Sequence, residues 1–321
     1  MFELIQGIKS ILEVCEVVRQ NERLLIITDN DFGLIWVGQV VMNLAQSLGA
    51  EVILTVISQR QNAGKEPPPP VATLMKSVDA VLAISDKESM VHTTARKEAT
   101  ASGARYYTIF QIPIEDLKRG VSNDDIRIIR NRTEKLGEML NKAKVARIVN
   151  PYGTDIMLGL EERKSLVSEP TSHIAAGLPY YAEAAIAPVE GTAEGLIVAD
   201  LAVIEWGQVL AEPIRYTVRK GRIIEVQGGK EDGNRMRQII ETQKDAANIA
   251  ELGIGTSHII PRGIYGTRRD AARLGTAHFG IGRNDDIGGQ TWSPIHLDNL
   301  FSRPTIELDN HVVISEGNLL I

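Results

Sequence analysis

The chain has 321 residues, of which 43% are hydrophobic and 24% are charged, a composition typical of soluble globular proteins. A net charge of −6, with no cluster of lysines and arginines, argues against a nucleic-acid partner, and no apolar run approaches the roughly 18 residues that a membrane span requires. The single cysteine, Cys15, indicates a reducing compartment. We therefore expect a cytoplasmic protein that binds neither nucleic acid nor membrane.

The first part of the chain alternates between strand-like and helix-like segments. Residues 24–28 form a continuous apolar run, a helical pattern follows at residues 34–48, and residues 51–57 form a second apolar run. This order of strand, helix and strand predicts a parallel sheet. Further strands are predicted at residues 78–85 and 105–110, and a closing amphipathic helix at residues 124–144. We predict an α/β domain with a parallel sheet over residues 1–145.

From residue 146 onward the pattern changes to short β-like segments punctuated by glycine. Lys220 and Gly221 have the composition of a hairpin turn. Strands are predicted at residues 184–188, 195–201, 214–218 and 222–226, a helix at residues 234–252, and two terminal strands within residues 305–321. We predict that residues 146–321 form a β-rich α+β domain, and that this domain binds metal.

Five metal-capable side chains occur in this second part: Glu183, Glu251, His278, His296 and Asp298. The last two are separated by one residue in a strand-like segment, so their side chains leave the same face of that strand. Three carboxylates and two imidazoles are the ligand set of a co-catalytic pair of divalent ions such as Zn, Mn or Co. From the residues alone other interpretations stay open: a hydrogen-bonded pair on an exposed strand, a core histidine and solvated surface carboxylates.

The segments around these residues resemble the metal-binding core of the aminopeptidase T and aminopeptidase S family, which are dinuclear metallo-aminopeptidases. The segments of this chain that carry the resemblance are LPYYAE at residues 178–183, IAELGIG at 249–255, LGTAH at 274–278 and IHLD at 295–298. The resemblance implies that the five side chains bind two divalent ions, and that a metal-bridging water hydrolyses amide or peptide bonds in a short-peptide or small-molecule substrate. It also implies a homodimer. Where the family carries a tyrosine after the motif histidine, this chain has residues 283–286, which read RNDD.

A second resemblance is to 2,5-dihydroxypyridine 5,6-dioxygenase, a mononuclear iron(II) ring-cleaving enzyme on the same scaffold. It rests on Gly288-Gly289 followed by the PIHLD run at residues 294–298. That enzyme has a histidine at the position of Glu251 and lacks ligands matching Glu183 and His278. The resemblance implies one Fe(II) ion as the alternative cofactor, and it suggests His92 as the counterpart of a catalytic loop histidine.

The leading hypothesis is therefore a dinuclear hydrolase, and the alternative is an Fe(II) dioxygenase. A third reading, a scaffold protein without chemistry, conflicts with the intact five-residue set. Glu251 is a candidate general base as well as a ligand, and His92 is a candidate acid or base. Arg283 and Asp155 are candidates for contacts with a substrate carboxylate and amine.

Overall fold

The computed structural model describes residues 2–60, 65–86, 90–111, 113–260 and 263–321. The chain divides into two compact units, one formed by Met1–Arg130 with Ser168–Tyr181 and the other by Asn131–Val167 with Ala182–Ile321. A parallel sheet and two antiparallel sheets confirm the predicted α/β class with a β-rich second part. Separate domains with a boundary near residue 145 stay a prediction.

The first unit contains a five-stranded parallel sheet. Its elements are α1 (Phe2–Val14), β1 (Arg23–Asp29), α2 (Phe32–Ser47), β2 (Glu51–Ile57), α3 (Pro69–Met75), β3 (Ala80–Ser85), α4 (Thr94–Ala101), β4 (Arg105–Phe110), α5 (Ile114–Leu117), the first part of α6 (Asn123–Lys142) and, from the returning segment, β8 (Ile174–Ala176). The strand order is β2-β1-β3-β4-β8. Every residue of β3 is buried, because helices cover parallel strands on both faces and a continuous apolar run satisfies both. The predicted strand–helix–strand unit is confirmed.

The second unit contains two larger sheets. Its elements are β5 (Val145–Val149), β6 (Asp155–Gly159), β7 (Leu166–Ser168), β9 (Glu183–Ile186), β10 (Glu194–Ala199), β11 (Ala202–Val203), a 3₁₀ turn (Ile204–Trp206), β12 (Gln208–Val209), β13 (Ile214–Arg219), β14 (Arg222–Gly228), α7 (Lys230–Thr242), β15 (Ile249–Gly255), α8 (Arg268–Ala271), β16 (Thr276–Gly282), β17 (His296–Ser302), β18 (Thr305–Leu308), β19 (His311–Ser315) and β20 (Asn318–Leu319). The eight-stranded sheet has the order β14-β13-β10-β6-β5-β18-β19-β20. The seven-stranded sheet has the order β12-β11-β17-β16-β15-β9-β7.

One hydrophobic core contains residues of both of these sheets. Phe279 and Phe301 stack in it on neighbouring strands, with ring centroids 5.1 Å apart. Apolar residues alternate with small or polar ones along β15, β16 and β17, so one face of these strands packs in the core and the other face carries the polar groups. The core thus fixes which side chains of the seven-stranded sheet point to its opposite face.

The helix predicted at residues 234–252 is wrong in its second half. Helix α7 ends at Thr242, Gln243 is extended, and Glu251 lies within strand β15. The segment IAELGIG has an apolar residue at every second position, which fits a strand, and its two glycines disfavour a helix. Glu251 is therefore presented by a central strand of the sheet.

No helix in the described part of the chain is both long enough and apolar enough to cross a lipid bilayer. Cys15 is a buried free thiol, and burial raises its pKa. The cytoplasmic location and the homodimer stay predictions.

A buried hydrogen bond joins the two sheets of the second unit and provides a test of the fold. The hydroxyl of Tyr216 on β13 donates to Oδ1 of Asn299 on β17 at 2.6 Å. Replacement of Tyr216 by Phe leaves this buried acceptor without its donor, so we expect the free energy of unfolding to fall by about 1–3 kcal/mol. Chemical denaturation measures the change. The control Tyr152→Phe alters an exposed ring and should stay within about 0.5 kcal/mol of the parent; equal stability of both variants would contradict the described contact.

Candidate metal centre

Four neighbouring antiparallel strands bring the five predicted side chains together. Glu183 begins β9, Glu251 lies in β15, His278 lies in β16, and His296 and Asp298 lie in β17. β15 pairs with both β9 and β16, and β16 pairs with β17. Residues separated by up to 115 positions in sequence thus meet on adjacent strands, as a sheet with this strand order requires.

All five side chains are buried, and His296, at 9% exposure, is the most accessible of them. The readings of Glu183 as a surface carboxylate and of His296 with Asp298 as an exposed pair are therefore wrong. Burial of so many ionisable groups without partners costs several kcal/mol each, so these groups must compensate one another or hold cations.

Two glycines make the close approach of these side chains possible. Gly253 lies opposite His278, and a Cβ added to it would lie 2.1 Å from Cε1 and Nε2 of that imidazole. A Cβ on Gly280 would lie 2.8 Å from Cβ of Glu251 and 2.9 Å from Nε2 of His296. Any side chain at either position would displace an imidazole, so the glycines of these strands shape the site.

The donor atoms form two groups that share Glu251. Nε2 of His296 lies 3.0 Å from Oε2 of Glu251 and 3.0 Å from Oδ1 of Asp298. Nε2 of His278 lies 3.6 Å from Oε2 of Glu183 and 3.9 Å from Oε1 of Glu251. Within each group, Glu183–Glu251–His278 and Glu251–His296–Asp298, one donor atom of every residue lies within 4.8 Å of the others.

The electrostatics favour ionised carboxylates and protonated imidazoles in the metal-free protein. Burial alone raises the pKa of Glu251, but the neighbouring imidazoles of His278 and His296 outweigh burial and lower the pKa to about 2. Burial lowers the pKa of His278, yet the charge of Asp298 and the nearby carboxylates of Glu251 and Glu183 raise it to about 9. The pKa of His296 is raised well above its ordinary value against burial, chiefly by Asp298. Cations that bind here must displace these protons.

Two further residues, Arg268 and Glu205, contact Asp298 and were not predicted from the sequence. The guanidinium of Arg268 forms a close ion pair with Oδ2 of Asp298, and Oε2 of Glu205 accepts the backbone N–H of Asp298 at 2.8 Å. Burial and then the charge of Asp298 raise the pKa of Glu205 to about 8. No local motif marks either residue, because their partner lies 30 and 93 positions away in the chain.

The orientation of His296 is set by the backbone of Arg283. Nδ1 of His296 lies 2.7 Å from the carbonyl oxygen of Arg283. A carbonyl only accepts hydrogen bonds, so Nδ1 carries the hydrogen and Nε2 faces the carboxylates. The side chain of Arg283 pairs with Asp285. Its predicted contact with substrate stays a prediction.

The two other candidates lie outside the four strands that carry this group. Asp155 begins β6 in the eight-stranded sheet, with its side chain 57% exposed and paired with Arg147 at 3.0 Å; the hydrogen bond from Arg147 lowers its pKa. His92 is buried in the first unit, in the turn before α4. Their predicted roles in substrate binding and proton transfer stay predictions.

The five residues fit divalent cations. Imidazole and carboxylate donors without a thiolate suit Zn, Mn, Co or Fe(II), and the donor atoms converge on a buried face that the two glycines leave open. In the part of the chain that the structure describes, only these two groups combine three metal-capable residues at such distances.

A family model for 2,5-dihydroxypyridine 5,6-dioxygenase (NicX) matches residues 3–321. The chain belongs to this family. The resemblance to an enzyme family that the sequence suggested is thereby confirmed, and membership supports an enzymatic function. No curated protein matches the chain in sequence.

Solved structures share the fold over the whole chain. The 2,5-dihydroxypyridine dioxygenase from Pseudomonas putida KT2440 superposes with a TM-score of 0.81 at 18% identity, covering 99% of this chain and 96% of that chain. Wild-type AmpT from Thermus thermophilus superposes with a TM-score of 0.72 at 15% identity, covering 99% of both chains. Both scaffolds named in the sequence analysis are thus similar to this chain in fold.

The raised pKa of His278 predicts a pH-dependent stability. Its protonated imidazole stabilises the metal-free folded state fully below about pH 6.5, and this contribution is lost as the pH rises through about 9. We expect the free energy of unfolding of metal-free protein to fall on the order of 3 kcal/mol between these values. Denaturation across the pH range measures the change. The variant His278→Asn should show a shallower fall, and part of the slope should remain because the pKa values of His296 and Glu205 are also raised. A parent stability that rises over the same interval would contradict the assigned charges.

Proposed function

We propose that the protein is a hydrolase of amide or peptide bonds, similar to an aminopeptidase, that uses two divalent ions of Zn, Mn or Co. The observation that carries the proposal is the pair of donor groups that share Glu251. A site for one ion needs three protein ligands and has no use for two additional buried donors. Two groups joined by one carboxylate suit two neighbouring ions.

In this proposal Glu183 and His278 would hold one ion and His296 and Asp298 the other, and Glu251, which belongs to both donor groups, would serve as a ligand common to the two. The ions, when bound, supply a hydroxide near neutral pH and polarise the substrate carbonyl. The protein orients the ligands and excludes solvent. The carbonyl oxygen of Arg283 fixes the orientation of the His296 ring, and burial keeps bulk water away from the donor atoms. Both oxygens of Glu251 face an imidazole, which favours a role as shared ligand over a role as general base.

The remaining roles complete the proposal. His92 supplies or accepts a proton, and Arg283 and Asp155 contact the carboxylate and amine of a short-peptide or small-molecule substrate. The enzyme acts in the cytoplasm as a homodimer. The role of His92 and the homodimer derive from the family resemblances, and the cytoplasmic location derives from the composition and the single cysteine.

The alternative is an Fe(II) ring-cleaving dioxygenase, which membership in the 2,5-dihydroxypyridine 5,6-dioxygenase family favours. One iron would be held by Glu251, His296 and Asp298, which offer one imidazole and two carboxylates. Non-haem oxygenases typically use two imidazoles and one carboxylate. This reading also leaves the buried Glu183 and His278 without a function, so we place the hydrolase first.

Metal analysis combined with the variant Glu183→Gln distinguishes the two functions. For the hydrolase we expect about two ions per chain, and the variant should lose one ion and at least about 100-fold in the hydrolysis of aminoacyl anilides, because an ion that polarises the carbonyl contributes several kcal/mol. Elemental analysis and initial rates measure both effects.

The matched control is Glu161→Gln, which changes an exposed glutamate paired with Lys144 and should leave ion content and rate unchanged. One iron per chain, with oxygen consumption on dihydroxypyridines that survives Glu183→Gln, would replace the hydrolase by the dioxygenase.

A further inference from the structure

The two oxygens of Asp298 have different partners. Oδ1 lies 3.0 Å from Nε2 of His296, on the side of the metal-capable groups. Oδ2 forms the close ion pair with the guanidinium of Arg268, whose side chain is only 11% exposed. In such a setting a guanidinium is a strong and persistent partner, because it stays charged at every accessible pH and its donors have a fixed geometry. The carboxylate is therefore divided between a metal-facing oxygen and an arginine-facing oxygen.

Glu205 connects the backbone of Asp298 to the same arginine. Its Oε2 accepts the Asp298 N–H at 2.8 Å, and its Oε1 lies 3.9 Å from the Arg268 guanidinium. The main chain and the side chain of Asp298 are thus held by two neighbouring residues that are not themselves in either donor group.

The helix that carries Arg268 is itself anchored. At the start of α8, Oδ2 of Asp270 accepts the backbone N–H of Thr267 at 3.0 Å and that of Tyr265 at 2.8 Å, and Asp270 is fully buried. Ala271 packs in an apolar cluster with Leu300, which lies on β17, the strand that carries the ligand aspartate. Because α8 is fixed against β17, Arg268 meets Asp298 from a defined direction.

We propose that Arg268 is a positioning residue that commits Asp298 to bind its metal ion through Oδ1 alone. A cation already paired with Oδ2 excludes a second cation from that oxygen, since like charges repel in a buried site. The inference rests on the proposed metal site but needs only the Glu251–His296–Asp298 group, which the hydrolase and the iron alternative both use. Loss of such an outer partner typically weakens metal binding 10–100-fold.

The test is titration of metal-free protein with Co(II), followed by calorimetry and by the visible absorption spectrum of the bound ion. In Arg268→Ala we expect the ion of the Glu251–His296–Asp298 group to bind about 10–100-fold more weakly. Its spectrum should change as well, because both oxygens of Asp298 become available. The ion held by Glu183 and His278 should keep its affinity.

Arg269→Ala is the matched control. Arg269 lies in the same helix, is buried at 6% exposure, and places its guanidinium 3.9 Å from the ring centre of Tyr265. It should lower stability without changing Co(II) affinity or spectrum. If Arg268→Ala does not fold, Arg268→Gln removes the charge but keeps most of the side chain, and the same weaker binding and changed spectrum are expected there.

Unchanged affinity and spectrum on replacement of Arg268, or an equal loss in Arg269→Ala, would overturn the inference. If the parent protein binds a single ion, the two-metal function fails while the comparison of the arginine variants still decides the role of Arg268. If the parent binds no ion, both proposals fail.

Discussion

The site depends on one carboxylate, that of Glu251, placed between two imidazoles at the centre of a sheet. Its two oxygens face His278 and His296 on different strands, at 3.9 and 3.0 Å. This contact is possible because glycines stand where the neighbouring strands would otherwise present side chains, as at Gly280. The apolar alternate positions of the same strands pack into the core, so the folding of the sheet also assembles the site.

Charge compensation explains how so many buried ionisable groups are tolerated. In the metal-free protein, protonated His278 and His296 balance the carboxylates, and Arg268 adds a permanent positive charge beside Asp298. Bound divalent cations would replace the imidazole protons as the positive charge that balances the carboxylates, because metal binding releases protons from the ligands. The same residues thus stabilise the metal-free fold and prepare the site for ions.

Much of this arrangement could be predicted from the sequence, but not all of it. Period-2 alternation around His296 and Asp298 correctly predicts two side chains on one face of a strand. The same periodicity around Glu251, together with two glycines, fits the observed strand better than the predicted helix. Arg268 and Glu205 had no local signal, because an ion pair between distant residues depends on strand order and on the docking of α8, which a single sequence does not specify.

The chain belongs to the family of a ring-cleaving dioxygenase, whereas the function that we propose assigns two ions to the two donor groups. The fold is common to both chemistries, so the number of ions decides between them. The most direct measurement is anomalous X-ray diffraction from crystals of the protein loaded with Mn or Zn, recorded at the absorption edge of the metal. Our account predicts two peaks, one at Glu183 and His278 and one at His296 and Asp298, with Glu251 between them. A single peak at Glu251, His296 and Asp298 would contradict it.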